Sequence, residues 1–468
     1  MCLLLAFFVI LSSVAGISNI KNYYNVGQKQ PKEITQLPGL DGKPISKQFS
    51  GYVTVDKRHD RSLFYWVVHS ERDVNNDPVV LWLTGGPGCS SMDAFIYEHG
   101  PFKFSFKGGD DGADIVLEEN PYSWSKVATM IYVDSPAGTG LSYSRKPQDY
   151  STDNERTVED LYSFLVELFT MMPELSYQGF YIAGESYGGV YVPLLASKIL
   201  NMSRSQRGMP INLRGYMTGN GVTDDVIESA GQLEFAYGMG LIDPLTFHRV
   251  QEDCKGNYWD VDSDSACALS LKKAYDIFYW VNPYDTLLDC YLSAQKDEDK
   301  MTHSAHKDVV NTLSWKAQLG HTVPCANRRV ALKWLSLPEV RQAIHAVPVQ
   351  ELSWQPCSDI LNYTINTPVS MINTHKELLH AGLSALVYSG DHDFIIPFTA
   401  TRTWVYGMGL HELSPYSAWK VDDQVAGFTV SFTSGLTFAT IKGAGHMAPQ
   451  TNPKETLHLI SRFLDEFR

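Results

Sequence analysis

Gly184-Glu185-Ser186-Tyr187-Gly188 lies between an apolar run, Tyr181-Ile182-Ala183, and a helix-forming run from Val190 to Leu200. A G-x-S-x-G at a strand-to-helix corner makes a tight turn that lifts the serine hydroxyl above a sheet. Glycine is needed on both sides because the backbone there is strained and the neighbouring elements pack closely. The motif therefore constrains the fold first: a strand must precede Ser186 and a helix must follow it. For chemistry it also needs a base, an orienting acid and an oxyanion hole from elsewhere in the chain.

The surrounding pattern meets the structural demand. Strands are predicted at Gly51 to Val55, Leu63 to His69, Val79 to Leu83 and Met130 to Val133. A helix fits Thr157 to Met172, where Val158, Leu161, Leu165, Leu168, Phe169 and Met172 recur at three and four residues. A strand near Leu213 to Met217 ends in Gly219-Asn220-Gly221. This alternation implies a mixed, mostly parallel sheet with helices on both faces, an α/β architecture. From about Asp225 to Cys357 the rhythm breaks and five cysteines gather. It resumes with strands at Leu383 to Tyr388 and Leu436 to Ile441 and a closing helix from Pro453 to Phe467. One core with an inserted, disulfide-tied, mainly helical cap accounts for this better than three domains in a row. The expected division is a first core part at 17–224, a cap at 225–357 and a second core part at 358–468.

Leu3 to Leu11 is apolar and is followed by Ser12-Ser13-Val14-Ala15-Gly16, which fits a signal peptide over 1–16. A short membrane anchor is the alternative, although no later run reaches the length of a membrane span. Of seven cysteines, Cys2 would leave with the signal, and six remain for an oxidising compartment. Spacing alone leaves their pairing open. Asn201-Met202-Ser203 and Asn362-Tyr363-Thr364 are glycosylation acceptors. The polar stretch Gln295 to Lys307 reads as an exposed, protease-sensitive loop. A net charge of −14 argues against nucleic acid and anionic membrane surfaces as partners. Neither zinc-site spacing nor a P-loop nor a G-x-G-x-x-G before a suitable helix is present, so no metal and no nucleotide cofactor is expected.

Two later strand ends carry the missing partners. One runs into Ser389-Gly390-Asp391-His392-Asp393, the other into Gly443-Ala444-Gly445-His446. Functional groups collect beyond the carboxyl ends of parallel strands. Ser186, an acid at 391 or 393, and His446 thus fall on one edge, in the order expected of an α/β-hydrolase fold. His446 would take the serine proton, and the acid would fix the imidazole tautomer. Gly85-Gly86-Pro87-Gly88 follows the Val79–Leu83 strand and suits an oxyanion hole made with the N–H of Tyr187. A tight turn needing glycine for its dihedrals is the competing explanation.

Trp82 to Ser91, Gly184 to Gly188, Ser389 to Asp393, Gly443 to Met447 and Asn120-Pro121-Tyr122-Ser123-Trp124 together resemble the serine carboxypeptidases, and among them the plant serine carboxypeptidase-like proteins. The resemblance spans nearly the whole mature chain. It implies Ser186, Asp393 and His446 as the triad, with Gly86 and Tyr187 at the oxyanion. It implies a binding site of Thr84, Gly85, Glu98, Glu185 and Met447 for the terminal carboxylate of a peptide or protein substrate. It also implies disulfides Cys89–Cys357, Cys254–Cys267 and Cys290–Cys325, excision of the loop near 295–307 in some relatives, and a secreted or vacuolar location without membrane attachment. A homodimer is left open. Two close carboxyls cannot both ionise cheaply, so the Glu98–Glu185 pair should favour activity at about pH 4–6. Thr84 departs from the family's usual Asn, as it does in acyltransferase relatives that move acyl groups from glucose esters to alcohols. Those relatives typically replace the elbow glutamate with aspartate, whereas Glu185 is retained here. The expectation is a carboxypeptidase, with the acyltransferase as its alternative. A silent binding protein fits the intact triad least.

Overall fold

The computed structural model describes residues 31–108, 114–206, 208–290, 327–346, 353–366 and 369–466. The 1–16 signal segment, the 295–307 loop and Cys325 lie outside them. The strands are β1 (Lys32–Ile34), β2 (Gln48–Asp56), β3 (Arg61–Val68), β4 (Val79–Leu83), β5 (Phe102–Phe106), β6 (Ile115–Glu119), β7 (Thr129–Val133) and β8 (Ser151–Asp153). They continue as β9 (Phe180–Glu185), β10 (Leu213–Gly219), β11 (Asn362–Thr364), β12 (Ser384–Gly390), β13 (Ser417–Val421), β14 (Gln424–Ser431) and β15 (Leu436–Ile441).

Eleven of these form one sheet in the order β1-β2-β3-β7-β4-β9-β10-β12-β15-β14-β13. Its heart, β7 through β15, is parallel, and antiparallel strands extend both edges. This is the α/β-hydrolase fold. Residues of β4 are buried on both faces, as an all-apolar run in a covered parallel sheet requires. Side chains alternate across the pleat, so Leu81 and Leu83 join one core layer while Val80 and Trp82 join the other. The first layer is covered by the helices Asn154–Met171 and Gly188–Arg204, the second by Ser91–Tyr97, Arg329–Ser336 and Pro453–Glu466. The Asn154–Met171 helix starts where the Asp153 carboxylate accepts the Arg156 N–H at 2.9 Å, and it stops just before Pro173.

Residues 225–277 form three helices, Asp225–Gly238, Pro244–Cys254 and Ala266–Ile277, capped by Asp224, Asp243 and Ser265. Leu233, Phe235, Val250, Leu271 and Tyr275 make a separate small core that also takes in Phe394 from the loop after β12. Residues 329–346 behave differently: Ala331, Trp334, Leu335, Val340 and Ile344 pack into the second layer of the main core with Trp66 and Phe95. Cys89–Cys357 and Cys254–Cys267 are bonded. Among the described residues, no helix is long and apolar enough to cross a membrane.

Candidate active site

The sheet brings its carboxyl ends into register. Glu185 ends β9 opposite Gly219 of β10, Gly219 lies opposite Tyr388 of β12, and Gly390 opposite Ile441 of β15. Ser186 follows β9 with φ 58°, the left-handed conformation of a tight elbow. The turn is held by Ser186 N–H donating to Gly219 O at 3.2 Å and by Val222 N–H donating to Ser186 O at 2.8 Å. The Gly188–Arg204 helix leaves directly from this turn. Gly188 is required by proximity, since a β-carbon there would meet Leu83 O at 2.7 Å.

The acid and base are joined. His446 Nδ1 lies 2.7 Å from Asp393 Oδ2, and both residues are buried. Asp393 also accepts from Ile395 N at 2.8 Å, Ile396 N at 3.1 Å and Asn220 Nδ2 at 2.8 Å. Asp391, the other acid open from the residues, is engaged instead with His392 Nδ1 at 2.7 Å and Gly443 N at 2.7 Å. His446 Nε2 is buried without a hydrogen bond among the described residues.

Asn220 is a site residue that motif reading passed over as part of a turn. It directly follows Gly219, whose carbonyl holds the elbow, and its φ is 42°. Its amide donates to Asp393 and to Ser389 Oγ at 3.3 Å, while its Oδ1 accepts from Gly390 N at 3.0 Å. One residue thus connects the serine turn to the acid loop. The detectable signal was Asn between two glycines at a strand end, a setting that tolerates positive φ. Tyr284 is a second such residue: its carbonyl accepts His446 N–H at 2.6 Å, and its ring meets the imidazole edge-on at 5.2 Å. Thr286 N–H donates to His392 O at 3.0 Å and Phe394 N–H to Pro283 O at 3.0 Å, so residues 283–286 bind both the acid and base loops.

The glycine loop comes against the elbow. A β-carbon on Gly85 would fall 2.7 Å from both Glu185 O and Ser186 Cβ, and closer still to Tyr187 N. Only glycine allows that approach. Gly86 has φ 110°, and Cys89 N–H donates to Gly85 O at 3.0 Å. Thr84 Oγ1 accepts from Trp82 Nε1 at 2.9 Å, which leaves its own hydroxyl proton to donate. Tyr187 is buried and donates its hydroxyl to Asn154 Oδ1 at 2.9 Å. Met447 is partly buried against the main core.

Glu98 and Glu185 are 5% and 3% exposed, and their carboxyls lie within hydrogen-bonding reach of each other. Burial, followed by the nearby Asp93 charge, pushes Glu98 up to about 8. Burial and then Glu98 itself push Glu185 well above the usual carboxylate range. The Oε2 atom of each is buried without a hydrogen-bond partner.

A sequence profile described as "Serine carboxypeptidase" matches residues 38–466. The chain belongs to the serine carboxypeptidase family. Serine carboxypeptidase 1 of Hordeum vulgare is 42% identical over 466 residues, covering 93% of this chain and 93% of the relative. Serine carboxypeptidase-like 20 of Arabidopsis thaliana is 41% identical over 464 residues, with 92% of each covered. Among solved structures, Kex1Δp, a prohormone-processing carboxypeptidase from Saccharomyces cerevisiae, superposes with a TM-score of 0.74 at 22% identity, over 93% of this chain and 95% of that one. At that identity the likeness speaks for the fold. Both disulfides within the described residues are those that the resemblance to this family implied.

Proposed function

We propose that this member of the family is a serine carboxypeptidase that releases C-terminal amino acids from peptides and proteins. The observation that carries the reading is the 2.7 Å His446–Asp393 contact on the strand-end edge that also bears Ser186 at positive φ. Ser186 Oγ attacks the terminal peptide carbonyl as His446 Nε2 takes its proton, and Asp393 holds the tautomer that leaves Nε2 basic. Backbone N–H groups of Gly86 and Tyr187 stabilise the oxyanion. His446 then gives the proton to the departing amino acid, and water resolves the acyl-enzyme by the reverse path.

The Glu98–Glu185 pair suits a carboxylate ligand because a protonated carboxyl donates where an ionised one would repel. With Glu98 held up to about 8, the alkaline limb should lie toward that value, above the window of about pH 4–6 expected from the residues alone. The name of the barley relative supports a peptidase. The signal segment and paired cysteines support a secretory route to a secreted or vacuolar compartment, and exposed Asn201 and Asn362 support glycosylation.

Thr84 favours a second reading, acyl transfer from a glucose ester to an alcohol, because its hydroxyl is the available donor where the peptidases carry an amide. Both reactions share the acyl-enzyme and differ in what attacks it. Purified protein incubated with N-blocked dipeptides, and separately with a glucose ester plus an acceptor alcohol, separates them. Release of free amino acid that is lost in Ser186→Ala supports the peptidase. Ester formation without amino-acid release would replace it with the transferase.

A further inference from the structure

The short helix Ser91–Tyr97 carries Asp93 in its first turn and ends at Glu98, whose N–H donates to Ala94 O at 3.0 Å. Arg328 reaches this helix from more than two hundred residues downstream. Its Nε is 2.7 Å from Asp93 Oδ1, and its guanidinium lies 4.5 Å from the centre of the Tyr97 ring. Tyr97 in turn accepts the Ala331 N–H at 3.0 Å through its hydroxyl. Asp93 and Arg328 are 7% and 5% exposed. An ion pair this deep gains little net stability over an apolar replacement, so its placement beside two further buried acids calls for another account.

We propose that Arg328 and Asp93 are positioning residues for the Glu98–Glu185 pair, holding the helix end that carries Glu98 and setting the charge the pair faces. The inference rests on the carboxypeptidase reading only for its kinetic arm. The charged groups around the pair are few. Asp93 acts on both glutamates from the Ser91–Tyr97 helix, Arg328 acts on Glu98 from the 327–346 segment, and Asp393 acts on Glu185 from the loop after β12. Tyr132 and Tyr388 are buried phenols held neutral, and burial pushes His99 down to about 3, so it adds no charge. Asp93 and Arg328 together bring almost no net charge to the pair. Separated, they would act with opposite sign.

In Asp93→Asn, one negative neighbour is gone and Arg328 remains charged, since arginine does not deprotonate in proteins. The pair should then release its protons at lower pH. The alkaline limb of kcat/KM for a blocked dipeptide should move down by about one pH unit, with the change carried by KM. The double variant D93N/R328M, neutral at both positions, should return the limb to the wild-type position. Asp93→Ser gives the same sign where Asn disturbs folding. The infrared carbonyl band of protonated carboxyls, titrated on Ser186→Ala with and without D93N, reads the same shift without any turnover. An unmoved or upward-moving band and limb in D93N would overturn the proposal, as would a double variant that keeps the downward shift. Should the band move while the protein with Ser186 intact releases no amino acid, the carboxypeptidase reading fails and the charge-setting role stands.

Discussion

Asp393 and the Glu98–Glu185 pair occupy the same rim of the sheet, and all three carboxyls are buried, yet their donors differ completely. Asp393 accepts from two backbone N–H groups, from the Asn220 amide and from His446. The glutamates have each other, and beyond that each has a buried oxygen without a partner. Burial alone therefore does not decide what a carboxyl does. N–H donors suit an acceptor that must orient an imidazole, whereas a carboxyl facing another carboxyl is pushed to keep its proton and can donate. Two chemistries sit side by side because the backbone turns toward one acid and away from the others.

The sharpest way to break this contrast is Asp393→Asn, which leaves the shape and removes the preferred imidazole tautomer. We expect kcat to fall by about 10^4-fold with KM little changed. Full activity in steady-state assays would show that Asp393 does not orient the base. Asn220→Ala removes one donor and loosens the link between the serine turn and the acid loop. A loss of up to about 10^2-fold in kcat is expected, the scale of a displaced but intact triad. Asn220→Asp should do worse than Ala, because it sets a second carboxyl 2.8 Å from Asp393. On the other side, Glu185→Gln supplies a donor that never titrates. At low pH kcat/KM should drop by about tenfold at most, and the alkaline decline should flatten. A wild-type alkaline limb in the double variant E98Q/E185Q would exclude the pair as its source.

Much of this arrangement was legible in the chain because it rests on local patterns. The parallel strands are runs of buried apolar residues ending in glycine-rich turns, and Ser186, Asp393 and His446 each sit just past such an end. The edges were less legible. The β13–β14 hairpin turns at Asp422-Asp423, with φ values of 47° and 62°, and positive φ at two successive non-glycine residues leaves a faint trace in sequence. The helices of 225–277 are short and depend on caps such as Asp243 before Pro244 more than on a long apolar stripe. Residues 329–346, read with the cap, pack into the main core through Trp334 and Leu335, a choice made by tertiary contacts with Trp66 and Phe95. The partners of Asn220 and Arg328 could not be read for the same reason: they lie 173 and 235 residues away, at Asp393 and Asp93.

The smallest expected effect concerns stability, and it separates the two regions without any substrate. Glu98 is raised from an ordinary value of 4.5 to about 8, first by burial and then by Asp93. Between those values the folded protein holds a proton that the unfolded chain gives up. The folded state is thus favoured most below about pH 4.5, loses that advantage as pH climbs through the window, and changes no further above about 8. His392, raised chiefly by its hydrogen bond to Asp391, and Glu185, Glu228 and Asp134, raised chiefly by burial, also lose stabilisation as pH rises, so the wild-type slope mixes several groups. Glu98→Gln isolates the Glu98 contribution. Its unfolding free energy should fall less steeply across the window than the wild type's, by on the order of 1–3 kcal/mol, measured by urea unfolding at successive pH values. Parallel curves for the two proteins would mean that Glu98 is not held protonated in the fold. The carboxyl pair could then not be the proton donor that the contrast with Asp393 and the proposed carboxylate-binding role require.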